Sequence, residues 1–243
     1  MLAAVIADLH ANLEATRAVF DRLDAIKPDA VICLGDITGY NANPNEVVDI
    51  VREREALIIA GNHDAAVCGL EEPWFFNSKA RTAILRHAEW LRDDHKAWLA
   101  NAGPQRIFNE RCLAVHGSPN SRDEYIIDWL DAMPQWQLLE KNDIRICFFG
   151  HSHRSSLFAE KGGLVLQRTL DKYRLKNGNR YLINPGSVGQ PRDGDPRAAF
   201  GIFDTESAVF EFHRVEYDIG ATTKKILDAG LPPGLVSRLT KGK

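Results

Sequence analysis

The chain has 243 residues, of which 44% are hydrophobic, 26% charged and 9% aromatic, and its 30 basic and 33 acidic side chains leave a formal charge of −3. This length can bury a core without disulfide or metal staples, and the composition excludes collagen-like, low-complexity and wholly disordered chains. Without an excess of positive charge, stable nucleic-acid binding is not expected, because that affinity comes from cations meeting phosphates; a nucleotide-sized substrate stays open.

The N-terminal run Leu2–Ala7 is apolar and short, and Asp8 interrupts it. It has neither a basic leader nor a cleavage signature, and no run nears the ~20 apolar residues of a membrane span, so a cytoplasmic protein is expected. Asn12–Ile26 carries apolar residues at helical spacing, Ala30–Leu34 is strand-like, Pro44–Glu55 is a helix with its proline at a tolerated early position, and Leu57–Ala60 is apolar again. This β-α-β-α-β rhythm predicts a largely parallel sheet covered by helices. A helix follows over Asn77–Leu99, then a strand at Cys112–Val115, a helical stretch near Tyr125–Lys141 and a strand at Ile144–Phe149. Beyond these the helix-length gaps disappear. Ser156–Glu160, Leu164–Thr169, Arg180–Ile183, Ala198–Phe203 and Ala208–Val215 read as strands joined by turns, which pair antiparallel, so the sheets are expected to be mixed. Asp218–Lys243 reads as a helical pair split at Gly230-Leu231-Pro232-Pro233. With no repeat and no linker, the expectation is one domain over 1–243, with a helical insertion at about 70–105 and a helical tail at about 218–243. The four cysteines form no CxxC pair, and Cys33, Cys112 and Cys147 lie in apolar runs, which predicts reduced, core-filling thiols.

Five apolar runs end alike. Val5-Ile6-Ala7 leads to Asp8, His10 and Asn12; Val31–Gly35 leads to Asp36; Leu57–Gly61 leads to Asn62, His63 and Asp64; Leu113–Val115 leads to His116; and Ile146–Gly150 leads to His151 and His153. Strand carboxyl ends share one edge of a parallel sheet, and ligands bind there. What converges is Asp, His and Asn without Cys or Lys, a nitrogen and oxygen donor set suited to divalent Mn, Fe or Zn. Asp8-x-His10 and His151-x-His153 are read as extended segments that turn two alternate side chains to one side. Each signal alone is commonplace; all five at strand ends in one chain are not.

As a set, ADLHAN (7–12), GDITGY (35–40), GNHD (61–64), VHGSP (115–119) and GHSH (150–153) resemble the motifs of the calcineurin-like metallophosphoesterase superfamily, in the family's order. INPGSVGQPRDGDPR (183–197) resembles a loop of its bacterial and archaeal phosphodiesterase-like branch. The resemblance implies an α/β fold, a four-layer αββα sandwich of two mixed sheets. It implies two divalent metal ions (Mn, Fe, Zn or Ni), with Asp8, His10 and His153 holding one, Asn62, His116 and His151 the other, and Asp36 bridging both. His63 would be the catalytic histidine, with Asp64 its carboxylate partner. The implied activity is phosphoester hydrolysis, phosphodiesters first, of a small phosphate ester or nucleotide. Two ions against Asp8, Asp36 and a bridging hydroxide leave a net charge of about +1, which attracts a phosphoryl anion; the hydroxide would attack phosphorus while His63, charged with help from Asp64, assists the leaving group.

The alternatives are a phosphomonoesterase or protein serine/threonine phosphatase, although the latter typically carry GDxxDRG and GNHE where this chain has GDITGY and GNHD, and a non-catalytic scaffold, against which every ligand position is filled. The departures are Ala7 and Ala11, where many relatives have Ser and Gly, and Asn41-Ala42 in place of Gly-Pro in a loop that lies near the substrate in the family. Three residues are substrate-binding candidates: Asn12, which also reads as a helix N-cap; Tyr40; and Arg192, suited to clamping a phosphate but equally readable as solvated surface. Trp74-Phe75-Phe76 reads first as a hydrophobic anchor for the next helix and second as a base-stacking platform. The basic stretch Arg168, Lys172, Arg174, Lys176 and Arg180 reads as a solvated hairpin, with a partner or polyphosphate surface as the alternative.

Overall fold

A computed structural model describes residues 1–166 and 171–243. Two six-stranded mixed sheets pack face to face. The first runs β3(Leu57–Ile58), β2(Ala30–Cys33), β1(Leu2–Ile6), β11(Ala198–Asp204), β12(Val209–Val215), β9(Lys172–Arg174). The second runs β4(Gln105–Phe108), β5(Cys112–Val115), β6(Ile146–Phe148), β10(Tyr181–Asn184), β7(Ser156–Ala159), β8(Gly163–Leu166).

Side-chain alternation along the strands builds the layers. Ala3 and Val5 of β1, Ile32 of β2, Ala114 of β5, Phe148 of β6 and Ile183 of β10 meet between the sheets. The alternate residues Ala4 and Ile6 face outward under α1(Leu13–Ile26) and α2(Pro44–Glu53). Leu113, Cys147 and Leu182 face outward on the other side, under α6(Trp129–Ala132) and α7(Gln135–Lys141). Runs apolar on both faces are what doubly covered strands require. All four cysteines are free, and three are buried. Among the described residues, no helix is long and apolar enough to cross a membrane.

Register carries the motifs to one place. β1, β2 and β3 run parallel, with Ile6 opposite Cys33 and Cys33 opposite Ile58, so the residues after each strand emerge side by side. β5 and β6 run parallel with Ala114 opposite Phe148, which sets His116 beside Gly150. The strand tips therefore come from two sheets rather than from one parallel sheet.

The expected helix over 77–99 is two, α4(Ser78–Trp90) and α5(Asp93–Ala100). Asn45 on α2 breaks it: its side chain donates to the Trp90 carbonyl and accepts from the Arg92 amide, while Leu91 turns extended and buries. The expected helix near 125–141 starts late and is interrupted. Asp128 caps α6 through the Leu130 and Asp131 amides, and Pro134 separates it from α7. A third short helix, α3(Asn62–Val67), was hidden by its polar start, and β4 and β9 had too little apolar patterning to stand out. The tail is α8(Ile219–Asp228) and α9(Val236–Lys241), split where expected. Of the described basic stretch, Lys172 and Arg174 lie on an edge strand rather than a hairpin: β9 pairs with β12 and Lys172 meets Glu211, while Arg180, just before β10, meets Glu160. Arg168 and the end of the predicted 164–169 strand lie outside the described residues.

His87 on α4 is fully buried, accepting from the Gly39 amide at Nδ1 and donating from Nε2 to the Asn41 carbonyl. It fixes the loop between β2 and α2. Burial pushes its pKa down to about 4, from the ordinary 6.5. A proton therefore binds the unfolded chain more readily, and the stability this neutral ring contributes is present above pH ~6.5 and lost as pH falls towards ~4, about 3 kcal/mol in all. Denaturant midpoints measured between pH 4 and 7 should fall less steeply for His87→Asn than for the wild type by roughly that amount; parallel curves would show that His87 does not carry this dependence.

Candidate metal centre and its cavity

The loops after β1, β2 and β6 are tied backbone to backbone. Asp8 N donates to the Gly35 carbonyl, His10 N to Asp36, Ala11 N to Ile37, and Gly150 N to His116. The 183–197 loop closes the set, with Val188 N on the Ala7 carbonyl and Gly189 N on Asp8. Such packing leaves no room for side chains at the crossings: a Cβ on Gly189 would lie 1.9 Å from the Leu9 carbonyl oxygen, and one on Gly35 would lie 2.4 Å from Gly61 N.

This knitting holds an unusual backbone. Asp8, His10, Ala11, Asp36, Tyr40, His151 and His153 all have φ between +48° and +63°. The two Asp-x-His and His-x-His segments are therefore left-handed, not extended as the spacing suggested, and their side chains converge because the chain curls around the site. Each such residue costs on the order of 1 kcal/mol, and a site so strained persists only where surrounding bonds over-determine it.

Two groups of buried donors result. Asp8, His10, Asp36 and His153 place one ligand atom each within 4.8 Å of one another, and so do Asp36, His116 and His151; Asp36 belongs to both. The imidazoles are pre-aimed. His10, His116 and His153 each set Nδ1 against a backbone carbonyl, of Thr38, Leu34 and Gln190, at 2.6–2.8 Å. Nδ1 is then the protonated nitrogen, and the Nε2 lone pair faces the interior, as metal-bound histidines are held. His10 Nε2 and His153 Nε2 stand 3.1 Å apart, two acceptors facing one another.

The polar atoms left over are those a cation would use. Asp8 Oδ2, Asn62 Oδ1, His116 Nε2 and His151 Nε2 are buried without a hydrogen-bond partner. His116 Nε2 lies 3.3 Å from Asp36 Oδ2 without hydrogen-bond alignment. Protonation follows the same logic. Burial pushes Asp8 up to about 7, and the nearby Asp36 charge adds to this, while His116 lowers it. Burial opposes a charge on His116, yet Asp36 and Asp8 beside it hold its pKa up at about 9. Without a metal ion, a proton on His116 has to balance the carboxylates. Donor type, ring orientation and orphaned atoms all fit divalent cations.

Above this floor opens a cavity of about 670 Å³, whose lining includes Asn62, His63, Tyr40, Phe76, Tyr125 and Arg192. His63 is buried, its ring edge-on to Phe76 and His10 and beside Tyr40 at 4.6–4.9 Å. Its backbone amide donates to Asp36 Oδ1 at 2.9 Å, and its Nδ1 has no partner.

Asp64 is not that partner. Its carboxylate accepts from the Ile37, Thr38 and Gly61 amides and the Thr38 hydroxyl at 2.9–3.2 Å, so it ties the β2 loop to the start of α3. The expected Asp64–His63 pairing fails because Asp64 occupies the third helical position, where its carboxylate turns back to the Gly61 amide. His63 is consequently lowered to about 4 by burial, only partly opposed by Asp36.

Asn12 caps α1 through the Ala15 amide and donates to the Gly189 carbonyl; it is absent from the cavity lining. Tyr40 and Arg192 both line the cavity, with the guanidinium 5.6 Å from the Tyr40 ring centroid. Phe75 and Phe76 line it as well, whereas Trp74 lies outside under Arg81. Tyr125, its ring 4.0 Å from that of His151, is not among the expected site residues; an isolated tyrosine at the start of an expected helical stretch carries no signal. Asn184 was missed too. It steadies the His151 loop by donating to the Gly150 carbonyl and to Ser152 Oγ.

Comparison with known proteins agrees with this geometry. Residues 1–208 match the calcineurin-like phosphoesterase superfamily domain. An uncharacterized protein of Methanocaldococcus jannaschii is 37% identical over 99% of this chain and 98% of its own length. The crystal structure of a metallophosphoesterase from Sphaerobacter thermophilus is 37% identical, covers 100% of this chain and 99% of its own, and superposes with a TM-score of 0.87. A hypothetical protein from Pyrococcus horikoshii shares the fold at 18% identity, covering 100% of this chain and 98% of its own, with a TM-score of 0.83. With residues 1–208 matched by the family domain and its motif residues gathered around buried metal-type donor sets, the chain belongs to the calcineurin-like phosphoesterase superfamily.

Proposed function

We propose that the protein is a two-metal phosphoesterase acting on small phosphodiesters. The observation that carries this reading is Asp36, common to two buried donor groups and accepting from the His63 amide at Oδ1. Asp8, His10 and His153 would hold one divalent ion and Asn62, His116 and His151 the other, with Asp36 shared. Such ions supply a nucleophile at neutral pH by acidifying water, and they offset charge on the phosphoryl oxygens.

The chain's own groups do the rest. Asp36 is kept ionised: burial opposes its charge, but the protonated His116 beside it holds its pKa well below the carboxylate range. His116, His10 and His153 arrive with their rings oriented by backbone carbonyls, so on loading no ring has to turn and His116 has only to give up its proton. Arg192 is the cation in the cavity wall and is placed to pair with an anionic oxygen. His63 is neutral in the free site, since burial lowers it and no carboxylate bonds it. An approaching phosphoryl anion raises its proton affinity, so it becomes charged only with substrate present, and its proton then passes to the leaving oxygen.

The cavity, with Phe76 and Tyr125 in its lining, has room for an organic group on the ester, which supports a phosphoester over inorganic-sized ligands. Glu71, Glu72 and Asp123 in the cavity lining repel long polyanions, which supports a small substrate over a nucleic-acid chain.

Loaded with Mn²⁺, the protein should hydrolyse bis-p-nitrophenyl phosphate. His63→Ala should retain metal and lose about tenfold on that substrate, and about a hundredfold or more on an alkyl ester whose poorer leaving group needs the proton. An equal loss on both would remove the acid role. No turnover of mono- or diesters with any divalent metal would favour a non-catalytic scaffold.

Calorimetric titration should give two Mn²⁺ per chain. Asp36→Asn should weaken both sites about tenfold or more, because one carboxylate serves both; loss of a single site would show that it is not shared.

A further inference from the structure

We propose that Arg238, on the last helix of the chain, is a positioning residue that aims Arg192 at the anionic group of the substrate. It lies beyond residues 1–208, which match the family domain. This inference rests on the reading of the cavity as a phosphoester site.

The tail reaches the site at three points. Thr222 on α8 donates to Asn12 Oδ1, and Lys225 pairs with Glu14. Leu235 and Leu239 bury with Tyr40 in one apolar cluster. The Gly242 carbonyl accepts from Gly194 N, two residues past Arg192. Arg238 is thereby presented to the Tyr40 ring at 6.0 Å, and Arg192 stands at 5.6 Å from the same centroid. Both guanidinium groups donate to one acceptor, Gln190 Oε1, at 3.0 Å from Arg192 and 3.4 Å from Arg238. Arg192 also donates to the Tyr40 hydroxyl at 3.2 Å.

Two cations thus share one ring and one amide oxygen. Among the described residues, neither has a carboxylate within ion-pair distance. Guanidinium groups in partly buried positions are ordinarily paired. Here the pairing charge is missing, and the repulsion between them is relieved when an anion enters the cavity beside Arg192. Arg238 occupies the tail side of Tyr40 and Gln190, which leaves Arg192 the cavity side. The same Gln190 carries His153 on its backbone carbonyl, so the aim of Arg192 is registered to the donor cluster. Without Arg238, Arg192 has both acceptor and ring face to itself and is free to turn away from the cavity.

The test uses the full Mn²⁺-loaded chain, with inorganic phosphate as the probe, in a double-mutant cycle read by calorimetry. Arg238→Gln should weaken phosphate binding about fivefold in the wild-type background and less than twofold in Arg192→Ala. Its unfolding midpoint without phosphate should change little, since loss of the Gln190 hydrogen bond and the Tyr40 ring contact is set against relief from a like-charged neighbour. Arg238→Lys, which keeps charge and helix propensity but loses the planar fork, should show an intermediate loss. With bis-p-nitrophenyl phosphate, KM should rise for Arg238→Gln while kcat changes less than twofold. Equal phosphate affinity in wild type and Arg238→Gln, or the same loss in both backgrounds, would overturn the positioning role even with hydrolysis intact. A cycle as expected without hydrolysis would leave it standing and remove the esterase reading instead.

Discussion

The structure depends on an electrostatic imbalance at its centre. Asp8 and Asp36 are fully buried, and the groups around them are histidines rather than Lys or Arg. The nearest histidine nitrogens, 3.3 Å and 3.5 Å from Asp36 Oδ2, are attractive only if protonated. At an effective dielectric of about 20, one such contact is worth on the order of 5 kcal/mol, against a desolvation cost of several kcal/mol for each ion. A single proton on His116 therefore comes close to offsetting one carboxylate and cannot offset two. The remaining deficit falls on Asp8, which burial lifts to about 7, and it suits the site to multivalent cations and accounts for orphaned atoms that a folding core would otherwise exclude.

Keeping unbalanced charges in place falls to the backbone. Seven left-handed non-glycine residues, at on the order of 1 kcal/mol each, approach the whole stability of an ordinary domain. They survive because their neighbours are bonded across chain segments far apart in sequence, such as Asp8 to Gly35 and Gly189 to Asp8. Behind them lie two sheets whose inner faces pack Phe148 within 5.5–5.7 Å of Phe108, Phe203 and Phe210. Apolar burial between the sheets supplies the stabilisation, and the strand tips spend it on geometry.

That division explains what could be read in the sequence. Strands buried on both faces are unbroken apolar runs, so Cys112–Val115 was legible to the residue, and the donors at their ends were legible because the runs stop abruptly at Asp, His or Asn. Conformation at those ends was not legible: alternate residues suggest an extended segment, and only tertiary bonds such as His10 N to Asp36 O force the left-handed turn. Partner choice was equally hidden. Asp64 follows His63 in the chain, but the unpaired amides at the start of α3 and in the Ile37-Thr38 turn claim its carboxylate. The break at Leu91 depended on Asn45, some 45 residues away, and Arg238 on a tail with no motif at all.

A histidine with a carboxylate partner is charged whether or not substrate is present, and next to bound cations such a charge would repel the metals it serves. His63 has no such partner, and burial keeps it neutral, so its ring adds no positive charge beside the donor cluster. The negative charge that protonates it has to come from the ligand. Arg192 is permanently charged and belongs to the wall, where Tyr40 and Gln190 hold it off the floor. In the proposed reaction the two cationic functions would thus be separated by chemistry: a guanidinium to bring the anion in, and an imidazole that acquires its proton only once the anion is there. Placing Asp64 in the loop instead of on His63 would permit that order of events, and the loop it braces is the one that carries Asp36.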